Sequence, residues 1–422
     1  MGTEADRKLL RHLLDSAVER VRPANCLAGF LPEPPKGRTV VVGGGKAGGA
    51  MVEAFEAAWP GPVEGLVVTR YGYAKPASRI RLVEAAHPVP DEAGLNATRQ
   101  MLELVRGLGE DDLVICLLSG GGSALLTCPA EGITLADKQA VTRGLLRSGA
   151  PIQDMNAVRR RLSAIKGGGL ARAAWPAPVV TLAISDVVGD DPLVIASGPT
   201  VDDPAGPEAA RELLRHWKVK PPEAVAALLE QAAADHGPMP ATDYRLIARP
   251  RDALDVAAEI GRAEGLEVID LGDALEGEAR DVAARHADLA RRVQREPGDK
   301  LILSGGELTV TVTGEGGMGG PNREYALALA IALGGAGGIT AIAADTDGVD
   351  GIGEAAGALV DPGTWMRARA AGVDLGAMLA ANDSHNAFER LGDLVATGPT
   401  FTNVNDFRAI IVRSGHERFH AP

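Results

Sequence analysis

A chain of 422 residues is longer than one hydrophobic core ordinarily organises, so two domains are expected. Apolar residues make up 45% and aromatics only 3%, so the interior must be built from Ala, Val, Leu and Ile. The net charge of −13, from 43 basic and 56 acidic residues, argues against a nucleic-acid or anionic-membrane surface but leaves room for a local cationic pocket.

Along the chain, Leu9, Leu10, Leu13, Leu14, Ala17, Val18 and Val21 follow a charged start and predict an amphipathic helix, not a signal peptide. Cys26, Cys116 and Cys128 form no CxxC and read as reduced thiols of a cytoplasmic protein. Residues 39–42 are an apolar strand that runs into Gly43, Gly44, Gly45, Lys46, Ala47, Gly48 and Gly49, with a helix from Ala50. This satisfies G-x-G-x-x-G, but the acid expected after the next strand is replaced by Arg70, which leaves NADP open. It is not a Walker A loop, because Ala47 follows the lysine. Lys46 would sit at a helix N-terminus, where about half a unit of positive charge gathers. A cation there is costly unless an anion, usually phosphate, binds. A tight turn with a solvated lysine is the plainer alternative.

Residues 113–118 form a second apolar strand, ending in Ser119, Gly120, Gly121, Gly122 and Ser123. Their successive amides can make an anion nest, or only a flexible loop. Over residues 154–167 the helical period places Met155, Val158, Leu162 and Ile165 on one stripe and Asn156, Arg159, Ser163 and Lys166 beside it. Polar groups bordering a buried face suit the wall of a cleft, and its two cations suit a carboxylate or phosphate. Arg160 and Arg161 read as solvated.

A third strand, 179–184, leads into an acidic turn with Asp186, Asp190 and Asp191. Pro-rich, charged composition at 202–222 and 237–240 places the domain boundary near 238, giving domains 1–237 and 238–422. Residues 244–271 read as strand, helix, strand, and 308–312 as an antiparallel edge. Residues 326–344 carry no charge, but Gly334, Gly335, Gly337 and Gly338 divide them into a buried helix, a turn and a strand rather than a membrane span. The strand ends in a second acidic turn, with Asp345, Asp347 and Asp350. Clustered carboxylates repel unless a cation binds, and magnesium with ATP takes one or two of them; helix caps and Asx-turns are the alternative. His416-Glu417-Arg418-Phe419-His420 matches H-E-x-x-H, but with no room downstream for a third ligand it is not expected to bind zinc.

Continuous apolar strands followed by Gly-rich turns and helices imply parallel α/β architecture, with ligands beyond the strands' carboxyl ends. Together the turns resemble the class of glycerate 2-kinases whose second half is the MOFRL domain. The resemblance rests on 43–49 with Lys46, His87-Pro88-Val89-Pro90-Asp91, 118–125, 155–168, 184–192, Ala196-Ser197-Gly198-Pro199-Thr200, Ser304-Gly305-Gly306-Glu307, 346–351 and 397–404. It implies a Rossmann-like three-layer N-terminal domain with a parallel sheet, a smaller α/β C-terminal domain, and an active site in the interdomain cleft.

The implied reaction is phosphorylation of D-glycerate to 2-phosphoglycerate by ATP with Mg2+. Lys46 is implied to be catalytic. Family members carry an arginine in G-G-R-N-x-E; here Pro321 takes its place and Arg323 is the nearest substitute. Phe401 stands where glycine is common. The expected roles follow: Gly43, Gly44 and Gly45 bind nucleotide phosphate together with Ser119–Ser123, which cradle the ATP phosphates; Asp186, Asp190, Asp347 and Asp350 hold magnesium; Asp186 or Asp347 serves the acceptor hydroxyl; Asn156, Arg159 and Lys166 hold glycerate. Partners are small molecules, with no nucleic acid or membrane, and a homodimer is left open. The rival readings are an NAD(P)H-dependent hydroxypyruvate reductase, a name family members often carry, and a non-catalytic nucleotide sensor.

Overall fold

The computed structural model describes residues 3–231, 237–313 and 317–415. The chain divides into two compact units: an N-terminal unit, Cys26–Ile247, and a C-terminal unit, Ala248–Pro422 together with Met1–Asn25.

In the N-terminal unit six strands make one sheet: β1 Thr39–Gly44, β2 Glu64–Arg70, β3 Ile80–Ala85, β4 Leu113–Leu118, β5 Val179–Ile184 and β6 Thr242–Ala248. Their order is β3-β2-β1-β4-β5-β6, and the ladders from β3 through to β5 are parallel. Every residue of β1, β4 and β5 is buried, as their unbroken apolar runs require when helices cover both faces. Strand order reverses between β1 and β4. That is the topological switch point, where open α/β sheets leave a crevice, and the strands flanking it are the two that end in Gly-rich turns.

The C-terminal unit contains β7 Glu267–Asp270, β8 Gly277–Glu278, β9 Lys300–Ser304, β10 Leu308–Thr309, β11 Ile339–Asp345, β12 Gly357–Val360, β13 Leu394–Val395 and β14 Asp406–Val412. Six of them form a mixed sheet in the order β13-β12-β11-β14-β9-β7. Only β7 and β9 run parallel within it. The antiparallel edge expected at 308–312 shrinks to β10, which pairs parallel with β8.

The helix Thr3–Arg20 belongs to this second unit. It packs on the helix Pro250–Ala263 and on β11 and β14, with Leu10, Leu13, Leu14 and Ala17 fully buried. Arg413 ties it down by pairing with Asp6 and, at 2.9 Å, with Asp299. The division therefore differs from a cut near 238. Residues 242–248 complete the first sheet, and the first helix joins the later unit. An amphipathic period says that a helix needs a mate but not where in the chain the mate lies.

Three further expectations meet the structure. The helix read over 154–167 runs Ile152–Arg161 and ends as Leu162 leaves helical geometry, so Ser163 and Lys166 lie in the turn beyond. The uncharged stretch is the helix Pro321–Leu333 followed by β11, and no helix among the described residues is long and apolar enough to cross a membrane. The H-E-x-x-H segment lies outside the described residues.

Candidate active site

The turn after β1 is shaped by glycines that other backbone approaches closely. Gly43 (φ 139°) and Gly45 (φ 155°) leave no room for a Cβ, which would meet the Leu117 carbonyl and the Ser119 hydroxyl. Gly45 donates its amide to the Val68 carbonyl (3.0 Å), Lys46 to Gly120 (2.7 Å), and Ala47 to Ser119 Oγ (3.0 Å). The amides that a dinucleotide pyrophosphate would need are thus already committed within the unit. Gly43, Gly44 and Gly45 serve close packing between strands rather than a phosphate cradle, and Ser119, fully buried, caps the neighbouring turn.

The turn after β4 is different. The N–H groups of Gly120, Gly121 and Ser123 have no acceptor among the described residues, while Gly122 closes the turn onto the Ser119 carbonyl. A Cβ built on Gly121 would touch the His87 ring at 3.0 Å and Lys46 Cγ at 3.2 Å. The lysine stem and the imidazole therefore converge over Gly121, one of the two glycines whose amides are open. Lys46 directly precedes the helix Gly48–Ala58, capped at Ala47, and is half-buried. His87 carried no role in the sequence reading. Its motif ends in Asp91, which caps the next helix through Gly94 (3.0 Å) and accepts from Tyr71 (2.9 Å).

Two further elements brace this turn. Ser123 Oγ meets Ser197 Oγ at 2.7 Å. Ala196, Ser197 and Gly198 all adopt left-handed backbone (φ 51°, 64° and 61°), costly for the two that carry a Cβ. Lys166 donates to the Ser123 carbonyl (2.9 Å) and is only 4% exposed. Burial, then the charges of Lys138, Arg159 and Arg160, push its ammonium well below the usual lysine range. Arg159 donates to Asn156 Oδ1 (3.2 Å). Arg160 and Arg161 are not solvated: both pair with Asp203, at 2.7 and 3.2 Å. A cavity of 650 Å3 opens beside them, lined in part by Ser163, Lys166 and Arg172.

Lys138, missed in the sequence, sits in the same neighbourhood near the start of the helix Leu135–Ser148. It is 8% exposed and its Nζ has no hydrogen-bond partner. Burial, then Arg159, pull its pKa down to about 8. A single lysine on an amphipathic helix gives no signal in a sequence.

Among the acidic residues, Asp186 and Asp190 share the turn after β5. Asp186 is half-buried, and Asp190 Oδ1 is buried with no hydrogen-bond partner, an oxygen left for a ligand. Among the described residues no three acidic, thiol or imidazole groups converge as a metal cage. One or two carboxylates suffice for magnesium that also takes phosphate oxygens and water, so this turn fits the ion.

In the second acidic turn Asp350 is tied into the fold. Asp350 receives the amides of Asn322 (3.0 Å) and Arg323 (2.9 Å) and the Arg323 Nε (3.0 Å), and it is 1% exposed. Its oxygens are engaged, which removes it from the metal set. Asp347, also buried, caps the Val349 amide at 2.8 Å. Arg323 is fully buried, with its remaining donors on His385 and the carbonyls of Asp350 and Ile352, so it is placed for architecture and not for a phosphoryl group. Phe401 adopts φ 59°, the left-handed backbone that glycine would take without strain.

Residues 9–230 match the family described as domain of unknown function DUF4147, and residues 300–406 match the MOFRL family. Among similar proteins, one from Agrobacterium vitis with the provisional name hydroxypyruvate reductase is 51% identical, over 96% of this chain and 94% of its own. The D-glycerate 2-kinase of Thermotoga maritima is 38% identical over 96% and 97%. The crystal structure of glycerate kinase from Thermotoga maritima superposes with a TM-score of 0.89 and 37% identity, covering 97% of this chain and 100% of that one. With its parallel unit, its Lys46 turn and these full-length matches, the chain belongs to the DUF4147–MOFRL family that includes the glycerate 2-kinases.

Proposed function

We propose that this protein is a D-glycerate 2-kinase, moving the γ-phosphoryl group of ATP onto the 2-hydroxyl of D-glycerate. The observation that carries the reading is the contrast between two turns at one switch point: the dinucleotide-like turn has its amides committed, while Lys46 and His87 lie over a neighbouring turn whose amides are open. A reductase needs the first turn for its cofactor; a kinase can use the second.

In this reading the N–H groups of Gly120, Gly121 and Ser123 bind phosphate oxygens, and the Lys46 ammonium neutralises charge that grows on the moving phosphoryl group. Asp186 accepts the proton of the acceptor hydroxyl. Asp190, with Asp186, would hold Mg2+, which screens the phosphate charges when bound. Lys166 holds the turn through the Ser123 carbonyl and, with Arg159 and Asn156, serves the acceptor's carboxylate. The three cysteines are thiols, which suits the cytoplasm.

The test is a pair of assays on one preparation: ADP release with D-glycerate, and NAD(P)H oxidation with hydroxypyruvate. ADP release alone is expected. Lys46→Ala should lower kcat by about 100- to 1000-fold, the usual cost of losing one such donor, with an unchanged unfolding midpoint. Hydroxypyruvate-dependent NAD(P)H oxidation, or near-normal turnover in the variant, would overturn the reading.

A further inference from the structure

In the N-terminal unit three cations, Lys138, Arg159 and Lys166, lie buried or half-buried with no carboxylate partner among the described residues. Lys138 and Lys166 are 8% and 4% exposed, and Asn156 beside them is equally buried. Arg160 and Arg161 share Asp203, but no carboxylate among the described residues pairs with Lys138, Arg159 or Lys166. Lys166 reaches a neutral carbonyl, Arg159 an amide oxygen, and the Lys138 Nζ reaches nothing. Nearby acids are otherwise engaged: Asp137 closes the cap at Thr134, and Asp154 accepts from Trp217 Nε1 (2.8 Å).

An ammonium out of water with no acceptor is costly, and like charges close by add to the cost. Each of the two lysines is held below its usual range by burial and by the other cations. Such an arrangement persists when a partner arrives from outside to complete it. The turn that Lys166 braces through the Ser123 carbonyl puts the group next to the open amides described above.

We propose that Lys138, with Arg159 and Lys166, forms a seat for a substrate oxyanion, in which the Lys138 ammonium is the open donor. The chemistry suits a carboxylate, as on a small hydroxy acid, and equally a phosphate of the nucleotide. Taking the hydroxy acid as the occupant rests on the kinase reading; the existence of the seat does not.

The experiment uses Lys138→Met, which keeps the length of the side chain and removes the charge, with Lys138→Gln as a second variant should the first aggregate. Unfolding midpoints are measured for parent and variant alone, with D-glycerate, with glycerol as the neutral analogue, and with ATP. The parent should be stabilised by D-glycerate and not by glycerol. The variant alone should unfold at the same temperature or higher, because an unpaired buried charge is gone, and its response to D-glycerate should be lost.

In the ADP-release assay the KM for D-glycerate should rise about tenfold or more, the usual worth of a hydrogen bond to a charged group, with the KM for ATP unchanged. A rise confined to ATP would assign the seat to phosphate instead. Unaltered responses to both ligands, or a variant destabilised when ligand-free, would overturn the proposal. Should D-glycerate stabilise the parent without any ADP release, the seat stands and the kinase reading falls.

Discussion

The two units differ in how completely they pair buried charge: the N-terminal unit pairs Arg160 and Arg161 with Asp203 but leaves other cations without an acid. In the C-terminal unit Arg323, Arg408 and Arg413 meet Asp350 (3.0 Å), Asp406 (2.8 Å) and the Asp6–Asp299 pair. In the N-terminal unit Lys138, Arg159 and Lys166 meet no acid among the described residues. A buried pair whose partners are both supplied by the fold is architecture, and removing one partner leaves the other stranded. A buried cation without a partner is a vacancy for a ligand's charge. Presence of a charged residue in a motif therefore says less about function than whether its counter-charge is already inside.

The comparison breaks most visibly at Asp350. Asp350→Ala strands a fully buried guanidinium and should destabilise the protein by about 3–5 kcal/mol, read from denaturant unfolding, with or without magnesium. If that variant instead unfolds like its parent and fails only in turnover, Asp350 is a working residue and the contrast between the units is lost.

Acid sharpens the same contrast. Burial, then Arg408 and Arg285, lower His286 in the C-terminal unit from 6.5 to about 4. The unfolded chain then binds the extra proton, so this stability is complete above about pH 6.5 and is lost as pH falls toward 4. In the N-terminal unit burial pushes Glu56 up, but the amides of Ser78, Arg79 and Ile80 outweigh it and hold the carboxyl at about 2 against an ordinary 4.5. Its contribution is present above 4.5 and disappears only as pH approaches 2. Hydrogen exchange should show β9, β11 and β14 losing protection at higher pH than β1 and β4; loss of protection together, or in the reverse order, would contradict this.

The smallest effect expected is at Ala196. Ala196→Gly relieves one left-handed residue and should add about 1 kcal/mol or less in chemical denaturation. A loss of stability there would mean that the alanine methyl, packed near Gly122, matters more than its backbone.

Much of the N-terminal sheet was legible because β1, β4 and β5 are unbroken apolar runs, and burial on both faces leaves no other reading. The turn at Lys46 was legible for a related reason, since glycines between a strand and a helix announce a close approach. What those glycines approach was not: the committed amides of Gly45, Lys46 and Ala47 depend on Val68, Gly120 and Ser119, whose positions only the sheet order brings near. Arg323 and Asp350 looked like chemistry because spacing carries no information on pairing. Lys138 gives no signal at all, because a charged residue on a helix is ordinarily surface. Burial and partner are tertiary facts, and they decided each of these cases.

The Asp6–Arg413 bridge joins residues 407 positions apart. At about 5–20 residues per second on a ribosome, the first helix emerges roughly 20–80 s before the strand that anchors it exists. Until the helix Pro250–Ala263 follows, its leucines have no native mate, while the contiguous stretch 26–247 can complete its own sheet. Nascent-chain length, more than intrinsic helix propensity, would therefore set when that helix docks, and chaperones that hold apolar segments would find a target in Thr3–Arg20.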